Sequence, residues 1–212
     1  MTVTLRPPER LWYTGDADAD RLLARDPLAL VIGFVLDQQV TVQKAFSGPH
    51  ELERRLGERL DAARLAALEP SHLVALFQQR PALHRFPGSM AGRVQAVCAV
   101  IAHDYGNDAA RLWTEARDGP DLRRRLMALP GVGEMKAATI MAVLARRFGL
   151  QLPGLEDVLP RRPTLGDVDS PEALADYQAG KRAYKAVLRA GGSAAEAGAA
   201  AMDAGRTTPG PS

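Results

Sequence analysis

Apolar residues along the 212-residue chain recur three and four positions apart, and no stretch longer than four residues alternates apolar with polar in the manner of a strand. The pattern therefore predicts an all-α protein. The strongest segment is "DPLALVIGFVLDQQ", where Asp26 is placed to cap free N–H groups and Pro27 suits the first helical position. Leu28, Ile32, Val35 and Leu36 face one side of it, while Leu30, Val31 and Phe34 cover most of the rest, so this helix is expected at the centre. "GPHELERRLG", "DAARLAAL" and "PSHLVALFQQ" read as short amphipathic helices separated by turns. Ser89 is the expected cap of "SMAGRVQAVCAVIAHDYG", with Met90, Val94, Val97 and Ile101 as its apolar stripe. "NDAARLWTEA" and "GPDLRRRLMAL" follow. The pattern thins after residue 150 through "LQLPGLEDVLPRRPTLGDVD", and Ser170-Pro171 then starts a last helix to about Ala190. The Ala/Gly/Ser-rich end, 191–212, reads as a flexible tail. No internal repeat is present.

Residues 127–149, "MALPGVGEMKAATIMAVLARRFG", carry the sharpest signal. Leu122, Leu126 and Leu129 stripe an incoming helix that Pro130 ends, and Ala137, Ile140, Leu144 and Phe148 stripe an outgoing one. Gly131 and Gly133 permit backbone angles closed to other residues and leave the loop amides uncovered at the start of the helix from Glu134. A helix N-terminus with bare N–H groups attracts phosphate. Val132 is expected to point back and pin the loop between the helices. Such a hairpin brings backbone amides against a nucleic-acid backbone without reading base sequence.

Composition narrows the setting. Hydrophobic residues make up 46% of the chain, no apolar run reaches the length of a membrane span, and the N-terminus lacks a signal-peptide core, so a cytoplasmic, nucleoid-associated home and no membrane partner are expected. Cys98, the single cysteine, sits among apolar neighbours and excludes a disulfide framework, a four-cysteine zinc site and a cysteine-held iron–sulfur cluster. No histidine–acid spacing suggests a catalytic metal. Net charge is only +2, yet 23 of the 27 basic residues are arginine. That bias fits either genome composition or phosphate contact, since guanidinium matches phosphate as a fork.

"LPGVGEMKAATIMA" resembles the helix–hairpin–helix of the base-excision DNA glycosylase superfamily. "DPLALVIGFVLDQQVT" is similar to the family helix whose end brings a glutamine near DNA, and "FPGSMAGRVQAVCAVI" to a helix preceding the hairpin. The resemblance covers about residues 26–157 and is closest to a branch without the iron–sulfur cluster. It implies a two-lobed helical fold in one domain, 1–190: a helical barrel from 27 to 150, and a second lobe of 1–26 with 151–190. It also implies a monomer that acts on double-stranded DNA carrying a damaged base, flips the nucleotide out and cleaves the base–sugar bond. No cofactor is implied beyond a monovalent cation on the hairpin carbonyls.

The resemblance further suggests site residues. Leu129, Gly131, Val132, Gly133 and Lys136 would form the DNA-binding hairpin, and Gln39 would enter the gap left by the flipped base, with Gln38 its rival one residue away. The family's aspartate follows the second hairpin helix. Here the acids after Gly149 are Glu156 and Asp157, of which Asp157 fits by residue type, although the family's apolar lead-in and following histidine or tyrosine are missing. Asp167 and Asp169 are further candidates. Bifunctional members place a nucleophilic lysine two residues past the second glycine, which is Met135 here. A thioether forms no imine, so a monofunctional enzyme is expected, with Met135 lining the base pocket or packing in the core. Lys136, turned away by one helical residue, is expected to reach phosphate or solvent. Trp12 and Trp113 are candidates to stack on bases but read rather as core, and His84 as a surface histidine. Alkylated purines are the favoured lesion. The other open reading is a binding protein of the same fold, without chemistry, that recognises damaged or structured DNA. A helical adaptor with a coincidental hairpin would lack an electropositive face at 131–136.

Overall fold

The computed structural model describes residues 5–204, and these hold twelve α-helices, one 3₁₀ turn and no strand. The all-α expectation holds. The first helix, α1 (Ala17–Arg25), lies in a segment where no helix was expected. Asp16 caps it by accepting from the amides of Asp18 and Ala19, and Leu22 and Leu23 are buried. Next comes α2 (Pro27–Leu36), capped as expected by Asp26, and every residue from Leu28 to Leu36 is buried. This is the central helix. Among the described residues no helix is long and apolar enough to cross a membrane.

The third helix, α3 (Val42–Leu56), is longer than the sequence reading allowed. It begins at the Thr41 cap and runs through Gly48-Pro49, the expected start of this helix. Val42, Ala45, Phe46, Pro49 and Leu52 form one buried stripe, and packing along that face outweighs the hydrogen bond that Pro49 forfeits. The edges of the Phe46 ring meet Tyr13 and Phe34, each with centroids 5.0 Å apart.

Two short helices, α4 (Ala62–Ala67) and α5 (Pro70–Gln78), pack on α6 (Pro87–Asp104). The stripe of Met90, Val94, Val97 and Ile101 is buried as expected, together with Cys98. The cap differs. Phe86 is the N-cap and makes no side-chain bond, Pro87 occupies the first turn where no N–H is needed, and Ser89 is exposed inside the helix. A four-residue helix, α7 (Arg111–Thr114), leads to α8 (Gly119–Met127) and α9 (Glu134–Phe148), the two arms of the hairpin. Trp113 is buried, and Trp12 packs partly buried on the core with Arg10 stacked 3.7 Å above its ring.

Beyond the hairpin come α10 (Leu155–Val158), the 3₁₀ turn (Leu165–Asp167) and α11 (Pro171–Arg189), which Ser170 caps as expected. The tail expected from residue 191 is corrected in part. Residues Ala194–Ala204 form α12, which packs on α11 so closely that a Cβ on Gly180 would sit 2.7 Å from the Ala201 carbonyl oxygen. The rest of that tail, 205–212, lies outside the described residues. The buried apolar side chains from Leu11 to Leu174 make one contiguous core. Segments far apart in sequence close on each other: the Arg6 amide donates to the Phe148 carbonyl at 2.7 Å, and the Tyr13 hydroxyl to the Leu165 carbonyl at 2.7 Å.

Candidate nucleic-acid interface

Leu129 and Val132 are buried and anchor the loop between α8 and α9, with the Val132 amide donating to the Leu129 carbonyl at 3.0 Å. Val132 thus pins the loop as expected. Leu129, expected among the DNA contacts, has its side chain in the core, so it shapes the hairpin from behind. Gly131 and Gly133 are exposed. Gly131 has φ +79°, a left-handed conformation that suits glycine. Among the described residues the amides of Gly131, Gly133, Glu134 and Met135 donate to no group, and Gly133 caps α9 without a side chain. Four N–H groups are therefore left free at and just before the positive end of a fifteen-residue helix. Among the described residues nothing donates to the carbonyls of Pro130, Gly131 and Val132 either, so a monovalent cation at the loop would find oxygen donors.

Beside the loop is an open depression of about 690 Å³, lined by Gln38, Arg93, Met127, Leu129, Gly131 to Met135 and Lys136. Arg93, from α6, crosses the loop: its Cδ lies 2.5 Å from where a Cβ on Gly131 would be, and its Nη1 donates to Gln38 Oε1 at 2.7 Å. One guanidinium thus ties the hairpin to the end of α2.

Three expected placements are corrected at this rim. First, Lys136 turns inward. Its Nζ is shielded from solvent with no hydrogen-bond partner among the described residues, and burial pushes its pKa down to about 8, with the Asp37 carboxylate opposing the shift and Arg93 adding to it. Second, Met135 is not packed in the core; it lines the depression and is 65% exposed. One step along a helix separates the two side chains by about 100°, and here the inward one is the amine. Third, His84 is buried rather than superficial.

The histidine has a fixed tautomer. The Phe86 amide donates to Nδ1 at 3.1 Å, so Nε2 carries the proton and donates to the Gln38 carbonyl at 2.9 Å. Burial lowers its pKa below the ordinary value. A lowered folded-state pKa means that its stabilising contribution is present above the unfolded value of about 6.5 and is lost as pH falls through the folded value. The thermal midpoint is expected to drop on acidification below that point, and His84→Asn to flatten the profile between neutral and mildly acidic pH. Equal slopes in both proteins would refute the assignment.

The two glutamines divide the expected role. Gln38 lines the depression in Arg93's grip, whereas Gln39 is exposed at φ +54°, a left-handed angle uncommon for a residue with a side chain. The candidate acids are not brought to the hairpin. Glu156 and Asp157 are exposed on α10, which packs against the start of α8, where the Gly119 amide donates to the Pro153 carbonyl at 2.9 Å. The loop leaves from the other end of α8, about 13 Å away along nine residues. Asp167 is structural: it accepts from Arg146 at 2.6 Å and closes a capping box with Thr164. Asp169 is exposed one residue before the Ser170 cap.

No family model, curated protein or solved structure matches the chain. The reading of the site therefore rests on its own geometry. Most arginines near the hairpin are engaged within the chain. Arg117, Arg124 and Arg125 surround the buried Asp121 carboxylate, and Arg123 pairs with Glu134. A buried acid needs such partners, so the "RRR" of α8 serves the fold first. Sequence reading missed Arg93, which nothing local marks, since it reaches Gln38 from fifty-five residues away. Among the described residues no group of three or more His, Cys, Asp and Glu could hold a metal ion.

Proposed function

We propose that the protein is a base-excision repair DNA glycosylase of the helix–hairpin–helix class, monofunctional, hydrolysing the bond between a damaged base and its sugar in duplex DNA. The observation that carries the reading is the set of amides of Gly131, Gly133, Glu134 and Met135 at the start of α9, unpartnered among the described residues, beside a depression lined by Arg93 and Lys136. Phosphate is bound by such amides, and cations alongside add to the attraction. The same reading takes the helical fold as the two-lobed arrangement of that class. It draws support from the Tyr13–Leu165 hydrogen bond, which joins the N-terminal segment to the chain beyond the hairpin.

The test is a panel of duplexes, each with one damaged base, alkylated purines included, incubated with the protein and then treated with alkali to cut abasic sites. Strand cleavage after alkali at one lesion class is the expected result, and intact strands across the panel would end the glycosylase reading. Lys136→Ala should weaken binding about equally across sequences and lower the salt slope by roughly one ion. An unchanged slope would remove the amine from the contact. Borohydride should trap no covalent complex. The inward amine makes this a demanding test, because an imine at Lys136 would turn the enzyme into a lyase.

The placement of Glu156 and Asp157 away from the depression favours a second reading, a DNA-binding protein that recognises damaged or structured DNA without cutting it. If excision occurs, Asp157→Asn and Glu156→Gln are expected to retain it. A hundredfold loss in either would return the carboxylate to the mechanism.

A further inference from the structure

We propose that Arg93 is a direct phosphate ligand of the hairpin and that Gln38 is the residue that positions it. The Gln38 side-chain carbonyl holds one edge of the guanidinium, and the N–H groups left over take the phosphodiester that docks on the loop amides. The inference rests on reading the hairpin as a DNA contact. It also withdraws Gln38 from the gap left by a flipped base and gives it a different task.

Arg93 stands on α6 and lines the depression together with Gln38, Gly131 and Gly133. Its stem runs against the loop: a Cβ on Gly131 would lie 2.5 Å from Arg93 Cδ and 2.9 Å from Nε. The side chain that residue 131 lacks is thus the space the arginine occupies. Its Nη1 donates to Gln38 Oε1 at 2.7 Å. Gln38 is itself fixed, because its amide donates to the Leu36 carbonyl at 2.7 Å and its carbonyl accepts from His84 Nε2 at 2.9 Å. Orientation passes from the buried His84 through Gln38 to the guanidinium.

The partner is neutral, and that decides what remains. A carboxamide oxygen takes one N–H of the guanidinium and none of its charge. Among the described residues no carboxylate pairs with Arg93, its Nε and Nη2 donate to nothing, and neither atom is shut off from solvent. The arginines of α8 are instead spent on Asp121 and Glu134. Glu134 also lines the depression, but it is exposed and paired with Arg123. Lys136 is the other cation of the lining, and its Nζ is shielded, so Arg93 is the more accessible of the two.

A strut that only ties α6 to the end of α2 would use the same hydrogen bond, so charge and orientation have to be separated. A phosphate ligand displaces a counterion when DNA arrives, and its loss changes the salt dependence of binding; the loss of a strut changes stability. Removing the Gln38 oxygen leaves the cation in place and frees its direction. That change should cost affinity only while Arg93 is there to be oriented.

The experiment uses the full chain labelled with ¹⁵N, the Arg93 Nε–H signal being the one missing in Arg93→Lys, titrated with an undamaged duplex and separately with inorganic phosphate. Both should move the signal. Arg93→Met should weaken duplex binding on the order of tenfold and lower the salt slope by roughly one ion. Arg93→Lys keeps the charge without the fork, and should hold the slope while losing about threefold in affinity. Gln38→Met should lose about threefold with the slope intact, and nothing further when combined with Arg93→Met. An Arg93 signal unmoved by a duplex that the protein binds, or a folded Arg93→Met with the wild-type slope, overturns the inference and leaves the hairpin contact standing. A wild type that binds no duplex while phosphate still moves the Arg93 signal defeats the DNA-contact reading and keeps Arg93 as an anion ligand. No response to either probe overturns both.

Discussion

Gly133→Leu is expected to lose duplex binding at least about tenfold while the protein stays folded. The residue is exposed, its φ of −88° and ψ of 178° suit any amino acid, and a Cβ there would meet nothing within 4 Å. The cost to the fold is the poorer N-cap, at most about 1 kcal/mol, or roughly 2–4 °C in thermal midpoint for a chain of this size. The cost to binding is different in kind. A leucine side chain at that point would cover the neighbouring amides and hold a phosphate outside hydrogen-bond range. Gly131 offers a poorer test. Its φ is +79° and a Cβ would collide with Arg93, so any substitution strains the loop before DNA arrives. Wild-type duplex affinity in a folded Gly133→Leu protein would make the hairpin a structural turn.

Gly166→Ala is expected to destabilise the protein by about 1–3 kcal/mol, read as a fall of roughly 3–10 °C in thermal midpoint. A Cβ on Gly166 would lie 2.6 Å from the Ala142 carbonyl oxygen and 2.7 Å from its carbon. Both are backbone atoms in the middle of α9, so no rotamer change relieves the contact; the 3₁₀ turn must move off the helix. That turn is fixed on both sides, by the Tyr13 hydroxyl on the Leu165 carbonyl and by Arg146 on Asp167. Movement there disturbs the outer support of the hairpin's second arm, and duplex binding should weaken with stability. A melting curve superimposable on wild type would show that the close approach is not a feature of the folded protein.

Helices with their own caps and stripes were legible from sequence. Asp26, Thr41, Asp61, Asp118 and Ser170 cap helices by local bonds spanning two or three residues, so their information is contained in short windows. Two of these, Asp26 and Ser170, were read correctly. The helix through Pro49 is longer than its local signals imply, because Gly48-Pro49 reads as a helix start while the buried stripe runs across it. α1 went unread although Asp16 and the Leu22–Leu23 pair announce it. α12 was hidden by composition: alanine and glycine read as tail, and its partner is the surface of α11 near Gly180.

The hairpin at 129–134 follows from sequence alone, since the glycine, proline and valine positions dictate its backbone angles and its buried anchor whatever surrounds them. The chemistry around it did not. Whether Lys136 or Met135 faces inward depends on the azimuth of α9 against its neighbours. The residues that line the depression with Lys136, Gln38 and Arg93, come from just past α2 and from α6, tens of residues away in sequence. The same is true of the acids. Glu156 and Asp157 sit at a plausible sequence distance from the hairpin, but α10 docks on the far end of α8 because Gly119 lets its backbone approach there. Spacing along a chain sets which residues share one helix face; which faces converge on a site is settled by packing between helices, and only the tertiary structure contains that.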